Sequence, residues 1–264
     1  MKNYKIIFPE GDKQLDQDEE FFFLNTREGE EKIMFHEYDK IYAVPGLYEN
    51  LFQKKLECQS PEVIAGMLTK TLQEGEDNSL RVLDFGAGNG LVAEKLNEQD
   101  PDIIIGVDIL KSAKNAASRD RKGLYEDYLV SDLARPEGGV MKKLESYEFN
   151  AMVSVAALGF GHIPPLAFVN AFNLVETSGL IAFNIRDKFL TREDETGFRA
   201  TLDRMTGESL ETIDEKIYRH RYALNGEPIN YVAIVARKIT DMENPAGPKL
   251  NTDLDTESFE VKNS

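Results

Sequence analysis

The feature that most constrains the fold is an alternation of short apolar runs with amphipathic stretches, which starts at Leu80. The apolar runs, interpreted as strands, are Arg81–Phe85, Ile103–Val107, Tyr128–Val130, Ala151–Ala156 and Leu180–Ile185. The stretches between them, interpreted as helices, are Asn89–Glu98, Lys111–Arg121, Val140–Leu144 and Pro165–Val175, with Gly179 ending the last. Apolar strands separated by helices are typical of a parallel sheet covered on both faces. The sequence therefore predicts an α/β fold.

The C-terminal part predicts a different arrangement. Glu193–Met205 has a helical pattern, and the β-type runs Ile217–Leu224 and Ile229–Lys238 follow it. Asn225-Gly226 lies between these two runs, and Asn-Gly at such a place is a strong local signal for a hairpin. From residue 241 to residue 264 apolar residues are few, which predicts a disordered acidic tail.

The first 57 residues are expected to form an extension. Its β-type runs Lys5–Phe8 and Phe21–Leu24 predict a strand pair or a docked arm, and the three consecutive Phe residues are expected to pack on the main domain. Pro61 after Ser60 predicts a helix start with Ser60 as N-cap. The chain is thus divided into an extension (1–57), an α/β domain (58–240) and a tail (241–264).

Length and charge narrow the classes of function. A chain of 264 residues suits one large α/β domain. Its formal net charge of −16 disfavours a nucleic-acid substrate, because phosphates are bound mainly through Lys and Arg. Cys58 is the only cysteine, which excludes an intramolecular disulfide and a closed Cys-based zinc site. Without a recognisable signal peptide or an apolar run of roughly 20 residues, a cytoplasmic protein with no membrane contact is expected.

The turn after the first predicted strand is rich in glycine, with the sequence Asp84-Phe85-Gly86-Ala87-Gly88-Asn89-Gly90. Glycines there let the backbone approach a ligand, and the following helix presents unpaired N–H groups. The dinucleotide fingerprint needs a glycine where Leu91 stands, and the Gly-Lys-Ser/Thr of a P-loop is missing. The pattern favours S-adenosylmethionine (AdoMet), which carries no phosphate. The alternative is a tight turn in a domain that binds no ligand.

Acidic residues follow the next two predicted strands. Asp108 ends the first of these and Asp132 follows the second, so both are expected at the same sheet edge as the glycine turn. There Asp108 can accept both ribose hydroxyls, and Asp132 can accept the adenine amine while Leu133 donates its backbone N–H to the ring. The alternatives are that Asp108 only caps the next helix and that Asp132 is a loop carboxylate without a ligand.

With these motifs the sequence resembles the class I AdoMet-dependent methyltransferases, in particular the methyltransferase-like proteins related to the Williams–Beuren-region methyltransferase. The resemblance covers roughly residues 36–238 and also rests on Val155–Pro164 and Phe183–Arg186. It implies a Rossmann-like, seven-stranded, mostly parallel sheet with an antiparallel last strand and helices on both faces. It further implies AdoMet as methyl donor, with S-adenosylhomocysteine as product, and names no methyl acceptor.

The resemblance also implies roles for individual residues. Those implied around the methionine part are Asp84, Gly86, Ala87 and Gly88. Those implied around the ribose, the adenine and the methyl-bearing end are Asp108, Ile109, Asp132, Leu133 and Ala156. Tyr38 and Tyr48 lie in the region where relatives place an aromatic ring over the cofactor.

Catalytic residues are harder to assign, because methyl transfer from a sulfonium needs a base only if the nucleophile must lose a proton. His162, in the loop after the fourth strand, is the candidate base, with loop packing as the alternative. Arg186 is expected to pair with a substrate carboxylate or with a surface acid. His36 and His220 lack the spacing of metal ligands, and no metal site is expected. Cys58 is expected to be a small buried side chain.

Three functions remain open from the sequence. The first is a methyltransferase that acts on a small molecule or on a protein, as a monomer or a homodimer. The second is a non-catalytic AdoMet-binding scaffold, because loop packing explains His162 as well as a catalytic role does and the N-terminal extension has no assigned role. The third is a nicotinamide-dependent oxidoreductase, which the glycine turn and Asp108 suggest and the position of Gly90 disfavours.

Overall fold

Two β-sheets organise the protein in the computed structural model, which describes residues 4–9, 15–73, 79–159 and 163–242. In chain order the strands are β1 (Tyr4–Ile7), β2 (Phe21–Thr26), β3 (Gly29–Met34), β4 (Arg81–Phe85), β5 (Ile103–Asp108), β6 (Asp127–Val130), β7 (Phe149–Ser154), β8 (Val175–Arg186), β9 (Leu210–Tyr222) and β10 (Pro228–Lys238). The helices are α1 (Tyr38–Ala43), α2 (Ser60–Gln73), α3 (Leu91–Leu96), α4 (Lys111–Asp120), α5 (Val140–Glu145), α6 (Pro165–Asn173) and α7 (Phe198–Glu208). A π-helical turn (Glu49–Lys55) lies between α1 and α2.

The larger sheet has seven strands in the order β6-β5-β4-β7-β8-β10-β9. Strands β4 to β8 are parallel, and β10 runs antiparallel to both β8 and β9. Chain order reverses beside β4, and ligands of open α/β sheets bind at such a reversal, at the carboxyl ends of the strands. The predicted Rossmann-like fold with its terminal hairpin is therefore confirmed.

Apolar side chains cover both faces of this sheet. One face packs Phe168, Phe172 and Phe198 from α6 and α7 against the sheet, and the other packs Ile64 and Leu68 from α2. Because each parallel strand is buried on both faces, its sequence is almost continuously apolar, and this is why β4, β5 and β7 could be predicted.

Two boundaries differ from the prediction. Strand β8 begins at Val175 and runs through Gly179, which was expected to end the preceding helix. A Cβ at Gly179 would lie 2.8 Å from the carbonyl oxygen of Asn150, so this glycine permits close packing on β7. Helix α7 begins at Phe198 and not at Glu193, because the Asp194 carboxylate accepts the N–H of Arg199 and holds the preceding residues in a turn.

The extension forms a three-stranded antiparallel sheet, one strand more than expected. Strand β3 was missed because its sequence is largely charged and exposed, with Ile33 as its one fully buried side chain. Ser60 is the first residue of α2 and not its N-cap, since the carbonyl of Gln59 accepts the N–H of Val63. The Ser60 hydroxyl instead contacts the ring of His220, 2.6 Å from Nδ1.

A buried ion pair joins the extension to the larger sheet. Glu20 accepts a hydrogen bond from the guanidinium of Arg221 at the end of β9, and both side chains are at most 2% exposed. The second oxygen of Glu20 accepts the N–H of Leu224. Nearby, Gln17 donates to the hydroxyl of Tyr231 on β10. The extension therefore covers the antiparallel end of the sheet.

The described chain ends at Met242, which is buried, while Lys238 pairs with Asp241. The rest of the predicted tail lies outside the described residues, and the division at residues 57 and 240 stays a prediction. Within the ranges described above, no helix is long and apolar enough to cross a membrane.

We expect Glu20→Ala to lower the free energy of unfolding by about 3–5 kcal/mol, because it leaves the buried Arg221 charge without its partner. Urea denaturation measures this loss. The matched control is Glu208→Ala, which breaks an exposed ion pair with Arg204 worth less than about 0.5 kcal/mol. Equal losses in the two variants would contradict the structural role of the buried pair.

Candidate functional site

A cavity of about 470 Å³ opens at the carboxyl ends of the parallel strands. The loops after β4, β5, β6 and β7 form its floor, and α1 with the π-helical turn forms its roof. A volume of this size is in the range of small-molecule sites. The predicted cofactor residues that line it are Tyr38, Tyr48, Gly86, Ala87, Gly88, Asp108, Ile109, Asp132, Leu133 and Ala156.

The glycine turn needs its glycines for conformation and for space. Gly86 and Gly88 have φ of +72° and +54°, in the left-handed region that favours glycine. A Cβ at Gly86 would lie 2.6 Å from the Cβ of Ala157, and one at Gly88 would lie 2.5 Å from the hydroxyl of Tyr42. The turn is therefore packed tightly between the loop after β7 and helix α1.

Asp108 joins two turns through one carboxylate. One oxygen accepts the N–H of Gly88 and the other accepts the N–H of Leu110, both at 2.9 Å. Leu110 is the N-cap of α4 and no described side chain caps this helix, so the bond from Leu110 to Asp108 belongs to the turn before α4. Burial raises the pKa of Asp108, and these backbone hydrogen bonds oppose the shift. A carboxylate has about four acceptor positions, so these backbone bonds leave capacity for a ribose hydroxyl.

The adenine end has an apolar wall and a polar edge. Ile109 is a lining residue whose side chain is 53% exposed, an apolar surface that a flat ring can cover. Asp132 accepts the N–H of Ala134 with one oxygen and lines the cavity, while the side chain of Leu133 is buried. These positions agree with the predicted adenine contacts, whose binding role stays a prediction.

Three stacked tyrosines form the roof. The Tyr42 ring lies between those of Tyr38 and Tyr48, with centroid distances of 5.9 and 5.2 Å. Tyr42 was not predicted, although its i+4 spacing from Tyr38 places both on one helical face. Arg121 also connects the roof of the cavity to the glycine turn. It donates to Glu49 of the π-helical turn and to the carbonyl of Asn89 in the glycine turn.

Asp84, which was predicted to flank the methionine part, is not among the residues that line the cavity, so its binding role stays a prediction. Its side chain is fully buried and accepts a hydrogen bond of 2.7 Å from the Tyr125 hydroxyl. Burial, with a smaller contribution from the Asp108 charge, raises the pKa of Asp84 to about 7. The other carboxylate oxygen of Asp84, Oδ1, is buried and has no hydrogen-bond partner among the described residues.

The loop after β7 holds the part of the site where the methyl group was expected. Ala156 has φ of +55°, which is strained for a residue with a side chain, and its N–H donates to the Asn184 side chain at 2.6 Å. Strain of this kind persists only where the surroundings enforce it, and it is concentrated at functional sites. His162, the predicted base, lies outside the described residues. Arg186 lines neither this cavity nor the second chamber described next.

A second chamber of about 280 Å³ adjoins the first. Both are lined by Ala156 and Ala157, and both are bordered by Tyr38, Tyr48 and Cys58. The residues that only the chamber contacts come from the extension, the loop after β7 and the terminal hairpin: Gln17, Asp18, Phe35, Leu158, Gly159, His220, Arg221 and Tyr231. Local sequence patterns could not reveal it, because its walls come from distant segments.

No group of three or more His, Cys, Asp or Glu side chains in the described part of the chain is arranged to hold a metal ion. Cys58 is half-buried, and burial raises the pKa of its thiol to about 11. It therefore remains a neutral thiol at physiological pH.

Comparison with solved structures supports the fold. The N-methyltransferase NodS from Bradyrhizobium japonicum WM9, in complex with S-adenosylhomocysteine, matches with a TM-score of 0.55 and 16% identity over 77% of this chain and 97% of its own. The magnesium protoporphyrin IX methyltransferase ChlM from Synechocystis PCC 6803 matches with a TM-score of 0.50 and 14% identity, over 71% of this chain and 87% of its own. A putative RNA methyltransferase from Pyrococcus horikoshii matches with a TM-score of 0.50 and 14% identity, over 68% of this chain and 83% of its own.

No family model and no curated protein matches the sequence. The similarity to the solved structures shows that this chain has the fold found in these methyltransferases. This agrees with the sequence resemblance to class I methyltransferases.

We expect Gly88→Ala to lower stability by about 1–3 kcal/mol, because a Cβ there meets the Tyr42 hydroxyl and φ is positive. Thermal unfolding measures the loss. The matched control, Gly66→Ala on the exposed face of α2, has no atom within 4 Å of its Cβ and should stabilise by up to about 1 kcal/mol. Adding Tyr42→Phe should recover part of the Gly88→Ala loss; no recovery would contradict the contact.

The stability of the protein should depend on pH through Asp84. The pKa of Asp84 is about 7 in the folded state, against an ordinary value of 3.8 that applies to the unfolded chain. Between pH 3.8 and pH 7 folding is therefore accompanied by the uptake of a proton. The stability that this group contributes is fully present below pH 3.8 and is lost as the pH rises to about 7. Over this range the free energy of unfolding should fall by up to about 1.4 kcal/mol per pH unit. Urea denaturation from pH 4 to pH 8 should show this slope in the wild type and not in Asp84→Asn. Parallel profiles would be inconsistent with it.

Proposed function

We propose that this protein is an AdoMet-dependent methyltransferase whose acceptor is a small molecule. The observation that carries the proposal is the convergence of the glycine turn, Asp108 and Asp132 on one cavity at the carboxyl ends of three adjacent strands. Three sequence motifs that are distant along the chain thus form a single site, as a nucleoside-bearing ligand requires.

The lining residues suit each part of AdoMet. Asp108 retains acceptor capacity for the ribose, and Ile109 offers an apolar face to the adenine. Asp132 and the backbone of Leu133 can bind the adenine edge. Gly86 and Gly88 let the backbone approach the methionine part, and Tyr42 and Tyr48 close the cavity above it.

When bound, AdoMet supplies an electrophilic methyl group on a positively charged sulfur. The chain contributes orientation and the exclusion of water, and holding donor and nucleophile in line supplies much of the rate. The strained loop at Ala156 lies where both cavities meet, which is a suitable place for the transfer. His162 remains a candidate base, and an acceptor that arrives deprotonated does not need one.

The two alternative functions have less support. An oxidoreductase would need to hold a pyrophosphate, and Leu91 replaces the glycine that its fingerprint requires. A non-catalytic scaffold does not explain a second chamber beside the expected methyl position. The net charge of −16 favours a small molecule over RNA, although one protein of the same fold is a putative RNA methyltransferase. The closer relationship to the Williams–Beuren-related family, the cytoplasmic location and a monomer or homodimer belong to the proposal.

We expect S-adenosylhomocysteine to raise the melting temperature, because it binds only the folded state. At 100 times its Kd the stabilisation is about 2.7 kcal/mol. Asp108→Asn should lose most of this shift relative to its own ligand-free melting temperature, whereas the control Asp214→Asn, on exposed β9, should keep it. No shift at saturating ligand, or a shift with NADH alone, would overturn the proposal.

A further inference from the structure

The second chamber lies where an acceptor would meet the methyl group. It shares Ala156 and Ala157 with the cofactor cavity, and His220, Arg221 and Tyr231 of the terminal hairpin form its far wall. None of these three residues belongs to the cofactor motifs. What the chamber binds can therefore be inferred from the hydrogen-bonding groups that it presents.

A buried network determines which nitrogen of His220 carries the proton. The Asn184 side-chain oxygen accepts the N–H of Ala156, so its amino group donates to Ser60 Oγ at 2.9 Å and to the Tyr218 hydroxyl at 2.6 Å. Ser60 Oγ lies 2.6 Å from both the Tyr218 hydroxyl and His220 Nδ1. If Tyr218 donates to Ser60 and Ser60 donates to Nδ1, every hydrogen of the network has an acceptor.

The opposite direction of donation is less favourable. It would make Nδ1 the donor to Ser60 and leave the Tyr218 hydroxyl hydrogen without an acceptor in the network. Buried polar groups are almost always hydrogen-bonded, because an unpaired donor costs about 1–3 kcal/mol. Cys58 Sγ also lies 3.7 Å from Nδ1, but sulfur is a weak hydrogen-bonding partner, so donation from Ser60 to Nδ1 is the more favourable arrangement and places the ring hydrogen on Nε2.

His220 also remains uncharged. Burial, together with the charges of Arg221 and Arg186, holds the pKa of its ring well below the usual range. The ring thus offers a donor N–H at Nε2 throughout the physiological pH range. It is not a general base, because its remaining lone pair at Nδ1 is occupied by Ser60.

The other groups of the chamber also present hydrogens. Arg221 is a cation whose two terminal nitrogens donate to Glu20 and to the carbonyl of Tyr222, and each of these nitrogens carries a second hydrogen. Burial raises the pKa of Tyr231 to about 12 and that of Cys58 to about 11, so both remain protonated. Both oxygens of Glu20 are occupied.

Two chamber residues differ from the rest, because Asp18 and His36 are exposed. They border the chamber from its solvent side, whereas His220 and Arg221 are at most 5% exposed. Among the described residues, the interior presents mainly donors and no side chain placed to act as a base, and the candidate base His162 lies in the loop outside them. A nucleophile that depends on these described residues alone has to attack without giving them a proton, which a carboxylate can do at neutral pH and an alcohol cannot.

The negative charge of the protein does not oppose this conclusion. The net charge of −16 is spread over the surface, where salt screens it beyond roughly 8–10 Å. Donors at contact distance in a desolvated chamber act far more strongly. The rings of Phe35, Phe52 and Tyr231 form apolar walls, and about 280 Å³ suits a small scaffold.

We propose that the chamber binds the methyl acceptor as a small carboxylate on an aromatic or apolar scaffold, with His220 as a positioning residue that donates from Nε2 to one carboxylate oxygen. This inference rests on the proposed function. The other carboxylate oxygen forms the bond to the methyl carbon, and the electron pair of the broken carbon–sulfur bond stays on sulfur. The products are a neutral methyl ester and S-adenosylhomocysteine, and no proton has to be removed.

Benzoate tests the inference, with benzamide and benzyl alcohol as neutral probes of the same scaffold. In the complex with S-adenosylhomocysteine, calorimetry should show benzoate binding at least tenfold more tightly than either neutral probe. His220→Leu should weaken benzoate binding roughly 10- to 100-fold, because a hydrogen bond to a charged group is lost. His220→Gln, which retains a donor, should restore most of it. Binding of S-adenosylhomocysteine should be unchanged in both variants.

The outcomes separate this inference from the proposed function. If S-adenosylhomocysteine does not bind, the proposed function fails. If it binds but benzoate binds no more tightly than benzamide, only the carboxylate inference fails. Should the variants not fold, ¹⁵N NMR of the wild-type histidines still decides, because a hydrogen on Nε2 of His220 supports the inference and a bare Nε2 overturns it.

Discussion

The carboxylate of Asp108 is the interaction on which the site depends. It accepts N–H groups from the glycine turn after β4 and from the turn after β5, so one side chain aligns two loops that the sheet only brings near each other. On the opposite side the Tyr128 hydroxyl donates to the carbonyl of Gly88. The turn is thus held from both sides before any ligand binds, and such preorganisation reduces the ordering that binding would otherwise cost.

The extension then completes the cavity. Helix α1 places Tyr42 over Gly88, so close that only glycine fits there, and Arg121 links the π-helical turn to Asn89. The same extension reaches the opposite end of the sheet, where Glu20 pairs with Arg221. A single N-terminal segment therefore closes the cofactor cavity and forms part of the chamber beside it. In the proposed reaction this shared wall brings donor and acceptor together and shields them from water.

The candidate site was predictable to the extent that its residues follow strands in sequence. The glycine turn, Asp108 and Asp132 were found because parallel strands bring their carboxyl ends to one edge. The role of Asp84 stays a prediction, because its position before the glycines does not reveal that its side chain is fully buried and bonded to the Tyr125 hydroxyl. Tyr42 and the chamber residues of the terminal hairpin, His220, Arg221 and Tyr231, were missed, since their roles arise from contacts between segments more than 40 residues apart.

The sequence by itself determined the order of strands and helices, because burial on both faces forces apolar strands, and it determined the glycine turn, because positive φ favours glycine. Only the tertiary structure decided which surfaces meet. It paired β10 between β8 and β9, added β3, and brought Ser60, Asn184, Tyr218 and His220 into one buried network. The physical reason is that local patterns encode burial and backbone conformation, whereas hydrogen-bond partners and the charges around a cavity depend on the distant segments that pack there.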